Sequence, residues 1–156
     1  MSERVETVRR LFEAVRRRDH AALLEAYHPE VSIHEARSLP YGGDFRGHAG
    51  AIEHVEKFYR TWDGLKPPAL FEEARGTRPP LFEMLDAAQD HVVVLGRQLA
   101  VAPNGHSLDI PETFVFKMRD NRVIESWMFN QDTVAVLDFL KNARPRFQGR
   151  SSGTAE

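Results

Sequence analysis

The feature that most limits the fold is a change of hydrophobic period part-way along the chain. Up to Trp62 the apolar residues recur at helical spacing. Beyond Pro67-Pro68 they come in short Val-, Leu- and Phe-rich runs broken by turn residues. Val5, Val8, Leu11, Phe12 and Val15 form one stripe of an amphipathic helix, with Arg9, Arg10, Arg16 and Arg17 on the opposite, solvated face. Asp19 is placed to cap a second short helix, AALLEAY, which His28-Pro29 ends. A strand is expected at 30–35. A third helix begins near His48 or Ala49, buries Ile52, Val55, Phe58, Tyr59 and Trp62, and stops at Asp63-Gly64.

The later segments, around 69–75, 80–87, 91–102, 107–118 and 122–130, read as strands. Asn104-Gly105 and the stretch RDNR at 119–122 supply tight turns between them. Asp132 then caps a last helix, TVAVLDFLKN. Helices followed by a run of antiparallel strands imply an α+β fold, a cone-shaped curved antiparallel sheet with the N-terminal helices packed on its concave side. A cone of this size has room for a small ligand in its mouth.

The 156 residues suit one domain, expected over 1–142, with a polar, small-residue-rich tail over 143–156 expected to be disordered. A net charge of −2 gives no electrostatic footprint for nucleic acid. The chain has no cysteine, hence no disulfide framework and no thiolate metal site. That composition fits a reducing compartment, and a cytoplasmic location is expected. The first residues lack a continuous apolar core of the signal-peptide type, and no run of 18 apolar residues occurs, so no membrane association is expected.

Two carboxylates stand on apolar strand faces. Val31, Ile33 and Glu35 share a parity, as do Ile110, Glu112, Phe114 and Phe116. A solvated sheet face or an ion pair with Arg would account for either residue alone. Both together, on separate strands, favour a shared cavity. An unpaired buried carboxylate tends to keep its proton or find a partner. In such a cavity one carboxylate is suited to act as general base towards a C–H next to a carbonyl. A second carboxyl, held neutral, is suited to donate to the oxygen that becomes negative.

His34 has the opposite parity from Glu35 and is expected away from that cavity. His48 and His54, six residues apart on one helix, do not converge on a metal, and no metal-binding motif is present. On the last strand Trp127 and Phe129 oppose Met128 and Asn130, and one pair faces the cone. The loop RSLPYGGDFRG carries Tyr41 and Phe45, with Gly42-Gly43 as either a lid hinge or a plain connection.

The stretches LLEAYHPEVSIHE, RGHAGAIEHVEKFYRTW and LDIPETFVFKMRDNRVIESWMFNQDTVAVL resemble the nuclear-transport-factor-2-like superfamily, in its branch of SnoaL-like polyketide cyclases and ketosteroid isomerases. The resemblance covers residue 4 to about residue 140. It implies Glu35 as the proton-shuttling acid and Glu112 as the protonated acid of the oxyanion hole. Tyr27 and Tyr59 match tyrosines that line or support the family's site. Leu11 stands where the isomerases have an oxyanion-donating tyrosine, which brings the chain nearer to the cyclases. Leu11, Phe114, Trp127 and Asn130 are further substrate contacts expected from this reading.

The leading expectation is therefore a cofactor-free acid–base enzyme acting on a small hydrophobic carbonyl compound, polyketide-, terpenoid- or steroid-like. The reaction would be isomerisation or intramolecular aldol cyclisation. One alternative is a non-catalytic ligand-binding or dimerisation module. Another is a hydratase or epoxide-hydrolase-type enzyme, with Arg97 as the middle of an Asp–Arg–Asp set whose aspartates are not evident. The resemblance also implies a homodimer.

Overall fold

The computed structural model describes residues 2–65 and 82–143; the strand expected near 69–75 and the tail beyond Ala143 lie outside them. Its elements are α1 (Glu3–Arg17), α2 (His20–Ala26), β1 (Tyr27–Glu35), β2 (Gly43–Arg46), α3 (Gly47–Trp62), β3 (Phe82–Ala87), β4 (His91–Val101), β5 (Ser107–Arg119), β6 (Arg122–Asn130) and α4 (Thr133–Ala143). The strands form one sheet in the order β2-β1-β6-β5-β4-β3. The expected antiparallel pairing holds except between β1 and β6, which run parallel. β1 is therefore joined to the end of the antiparallel meander β3-β4-β5-β6. Register shifts between Tyr27 and Ser32 and between Lys117 and Met118 bend the paired strands, as bulges do.

Local chemistry sets the boundaries. The Ser2 hydroxyl accepts the Val5 N–H at 3.2 Å to start α1. Arg18, at φ 54°, ends that helix in a left-handed cap. Asp19 and Asp132 cap α2 and α4 through the Ala22 and Ala135 N–H groups, each at 3.0 Å. The β5–β6 turn uses Asp120 and Asn121, both at positive φ, the backbone of a type I′ hairpin.

Three boundaries differ from those read in the sequence. β1 starts at Tyr27, because the chain passes directly from the α2 cap into extended backbone. β2 was not foreseen: four residues with a single buried side chain, Phe45, carry too little pattern to register as a strand. α3 starts at Gly47, one residue early.

α1 lays Phe12 across the concave face, its ring 5.2 Å from Phe114 and 6.0 Å from Phe116, both edge-on. Phe116 is 1% exposed and anchors this core with Val8, Val31, Val92 and Val123. A second cluster gathers Val136 and Phe139 of α4 with Trp62, Leu108 and Ile110. Between these two clusters the concave face is not filled.

Candidate active site

Strand parity carries both carboxylates inward. Glu35 closes β1 on the face of Val31 and Ile33; Glu112 lies on β5 between Ile110 and Phe114. Both are nearly solvent-free, at 9% and 8% exposure, and both line one cavity. That cavity has a volume of about 70 Å³ and opens to solvent at its mouth.

Among the described residues Glu35 has one side-chain partner. His54 Nε2 lies 3.3 Å from its Oε2, and both side chains are buried. Burial pushes the Glu35 carboxyl above the ordinary carboxylate range, while His54 and the Ala36 backbone N–H pull it back. The imidazole orients this carboxyl.

Glu112 is held differently. Its cross-strand neighbour Asn130 donates through Nδ2 to Oε2 at 3.4 Å, and the same nitrogen donates to Gln98 Oε1 at 3.1 Å. Oε1 of Glu112 is buried with no hydrogen-bond partner. Burial, with a contribution from the Glu35 charge, raises this carboxyl to about 8. At neutral pH Glu112 is therefore an acid with a proton to share.

The remaining wall is apolar and aromatic. Leu11, Phe12 and Val15 come from α1, Phe114 and Phe116 from β5, and Met128 from β6. Tyr27 lines the wall at the start of β1, and burial followed by the Glu35 charge raises its phenol, favouring the protonated form. Tyr41 reaches the cavity from the loop before β2. Its ring meets Phe58 edge-on at 5.4 Å, and its hydroxyl is likewise kept protonated by burial, with the Glu35 charge adding to it. Among the described residues no group of three His, Asp or Glu side chains is arranged to hold a metal ion.

The structure thus brings Glu35, Glu112, Tyr27, Leu11, Phe114 and Asn130 together and leaves out two expected contacts. Tyr59 faces α1 instead: its hydroxyl donates to the Val15 carbonyl at 2.8 Å, under the Arg18 guanidinium. One helical position separates it from Phe58, which does line the cavity, and that turns its ring to the helix–helix seam. Trp127 lies on the outer sheet face, its ring stacked 5.8 Å from His34; Met128 and Asn130 are the pair that faces inward. Arg97 is also outside, paired with Asp109 on the adjacent strand. Among the described residues the cavity lining contains no Arg.

Among the lining residues that were not expected contacts, three bring polar groups. His54 belongs with Ala51, Val55 and Phe58, at i, i+3, i+4 and i+7 on α3, and that spacing was available as a signal. Gln98 shares the parity of Val92, Val94 and Ala100, so it is the same kind of polar intruder as Glu35. Tyr41 had no such signal, because a loop has no period. The loop is a packed wall, with Leu39 and Tyr41 at 4% and 3% exposure.

The family model for the SnoaL-like domain matches residues 8–126. The chain belongs to the SnoaL-like domain family. Its fold matches solved structures of nuclear-transport-factor-2-like proteins. It is similar to TerC, co-crystallised with polyporic acid, at 22% identity and a TM-score of 0.70, covering 90% of this chain and 99% of that one. A nuclear-transport-factor-2-like protein of unknown function from Burkholderia pseudomallei is 25% identical with a TM-score of 0.68, covering 90% and 98% of the two chains. A candidate SnoaL-like polyketide cyclase from Jannaschia is 22% identical with a TM-score of 0.64, covering 92% and 94%. No curated protein matches the chain significantly. Within the described residues of this SnoaL-like domain, no helix is long and apolar enough to cross a membrane.

Proposed function

We propose that the chain is a general acid–base enzyme for a small, largely apolar carbonyl compound. The observation that carries this reading is the pairing, in one apolar cavity, of an imidazole-supported Glu35 with a Glu112 whose buried Oε1 lacks a partner. Glu35 takes a proton from the carbon next to the carbonyl. The C–H electron pair becomes the new C=C bond, and the carbonyl π electrons move to oxygen. Glu112 donates its O–H to that oxygen. Where a C=C lies at the β,γ position the enolate is a dienolate; the Glu35 proton then returns to the γ-carbon, the C=C moves to the α,β position and the C=O re-forms, which isomerises the substrate. Alternatively, the enolate carbon attacks a second carbonyl of the same molecule and the new alkoxide takes the proton, which closes a ring. His54 orients Glu35, and Phe12, Phe114 and Met128 hold the apolar body.

The first step is testable without knowing the natural substrate. Apolar cyclic ketones incubated with the protein in D2O should gain deuterium next to the carbonyl, read by mass spectrometry. Glu35→Gln should slow this by about 10²–10⁴-fold. No exchange above background with the native chain, while it still binds the same ketones, would overturn the enzyme reading in favour of a ligand-binding module.

The outer sheet face supports a homodimer, in the cytoplasmic setting inferred from the cysteine-free composition. Leu85, Leu95 and Phe129 stand 41%, 43% and 55% exposed there. Light scattering should give twice the chain mass for the native protein and the chain mass for Phe129→Glu; a native monomer at working concentration would refute the dimer.

A further inference from the structure

The polar end of the cavity has an unbalanced set of donors and acceptors. Asn130 Nδ2 carries two hydrogens and no available lone pair. One goes to Gln98 Oε1 at 3.1 Å and the other to Glu112 Oε2 at 3.4 Å. Gln98 is buried on β4 and its amide also hydrogen-bonds the Tyr41 hydroxyl, which turns its NH2 to Tyr41 and its carbonyl to Asn130 and so fixes the sense of the Asn130 amide. Glu112 Oε2 is then an acceptor, which leaves Oε1 as the oxygen that bears the proton. That oxygen is buried and unpartnered, on a residue that lines the cavity. A buried donor without a partner is a standing penalty that an incoming acceptor removes.

We propose that the Gln98–Asn130 amide pair is a positioning device that pins the Glu112 proton on Oε1. This end of the cavity thereby takes a hydrogen-bond-accepting oxygen (carbonyl, enolate or phenolate) and turns away ammonium groups. The inference rests on the reading of Glu112 as a protonated donor and needs no role for Glu35. Register explains how the device is built. Asn130 lies directly opposite Glu112 across β5–β6, and Gln98 opposes Ile110 two residues along β5. The amide of Asn130 thus spans from one cross-strand pair to the next.

The probe is 4-nitrophenolate, whose ionised form absorbs differently from the neutral phenol, titrated against the native protein at neutral pH, with benzylammonium as the competing donor. The native chain should bind the phenolate and not the ammonium. Asn130→Asp keeps the size but replaces the donor with a carboxylate that draws the Glu112 proton to Oε2; phenolate affinity should fall about 100-fold. Gln98→Leu, which frees the Asn130 amide to turn, should lower it several-fold, on the order of one neutral hydrogen bond.

Equal phenolate affinity in Asn130→Asp and the native protein would overturn the inference. A native preference for benzylammonium would do the same, and that result needs no variant to fold. Phenolate binding as expected without any C–H exchange sinks the enzyme reading and leaves this one standing. Glu35-dependent exchange with equal affinities does the reverse.

Discussion

Glu35 and His34 are neighbours in sequence, on opposite faces of β1, and the sheet treats their charges in opposite ways. Outside, His34 sits between Asp44 at 2.7 Å and Glu125 at 2.9 Å, with Arg37 also reaching Asp44 and Trp127 stacked on its ring. Every charge in that cluster has an opposite charge beside it and access to water. The Asp44 hydrogen bond, ahead of that from Glu125, raises the imidazole above its ordinary value. Inside, Glu35 has one imidazole at 3.3 Å, and Glu112 has one long amide contact and a bare oxygen. A structural cluster satisfies its charges; the cavity leaves them short, as a site awaiting a ligand must.

That contrast breaks first on neighbouring substitutions. Glu35→Gln should cost about 10²–10⁴ in ketone deuterium exchange, whereas His34→Gln should leave exchange unchanged. Equal losses in the two variants would mean that the faces are not functionally distinct.

Glu112 gives the next largest effect, in stability. Burial lifts its carboxyl from an ordinary 4.5 to about 8, so the folded chain keeps a proton that the unfolded chain releases between those values. The stability this group allows is therefore intact below pH 4.5 and lost progressively as pH rises to 8. Glu112→Gln should unfold at a higher denaturant concentration at pH 8, with a gain of about 2 kcal/mol or more that disappears near pH 4.5. A pH-independent difference between the two chains would contradict the buried, protonated acid.

The smallest effect should come from His34→Gln. Its raised imidazole stabilises the fold below the ordinary 6.5 and ceases to do so as pH climbs through the folded value. Solvent screening keeps the loss under about 1 kcal/mol, measured by the same denaturant titration at pH 6. A loss as large as that of a core truncation would show that the outer cluster, and not the aromatic core, holds β2 to the sheet.

How much of this was legible follows from the reach of periodicity. Parity alone carried Glu35 and Glu112 inward, because a strand has only two faces and the neighbours of each Glu are apolar. It also narrowed β6 to two pairs but did not choose between them, since Met128 and Trp127 are both apolar. The choice was made by pairing, through Asn130 opposite Glu112 and Trp127 opposite His34. Tyr59 was misplaced because one step on a helix turns a side chain by about 100°. Contact between His54 and Glu35 joins α3 to β1, 19 residues apart, and arises from packing that no local pattern encodes. The parallel β1–β6 pair was hidden for the same reason.

The loop before β2 turns back so tightly that a methyl group on Gly42 would sit 1.8 Å from the carbonyl oxygen of Ala36. Gly42 N–H meets the Leu39 carbonyl at 2.9 Å, and Leu39 N–H meets that of Ala36 at 3.0 Å. Tyr41 is delivered to the chamber by this knot. The room available to a bound molecule on that side is consequently governed by a hydrogen atom on the main chain, one residue from the Tyr41 ring that forms the wall. Lengthening or relaxing the knot would resize the chamber from the Tyr41 side.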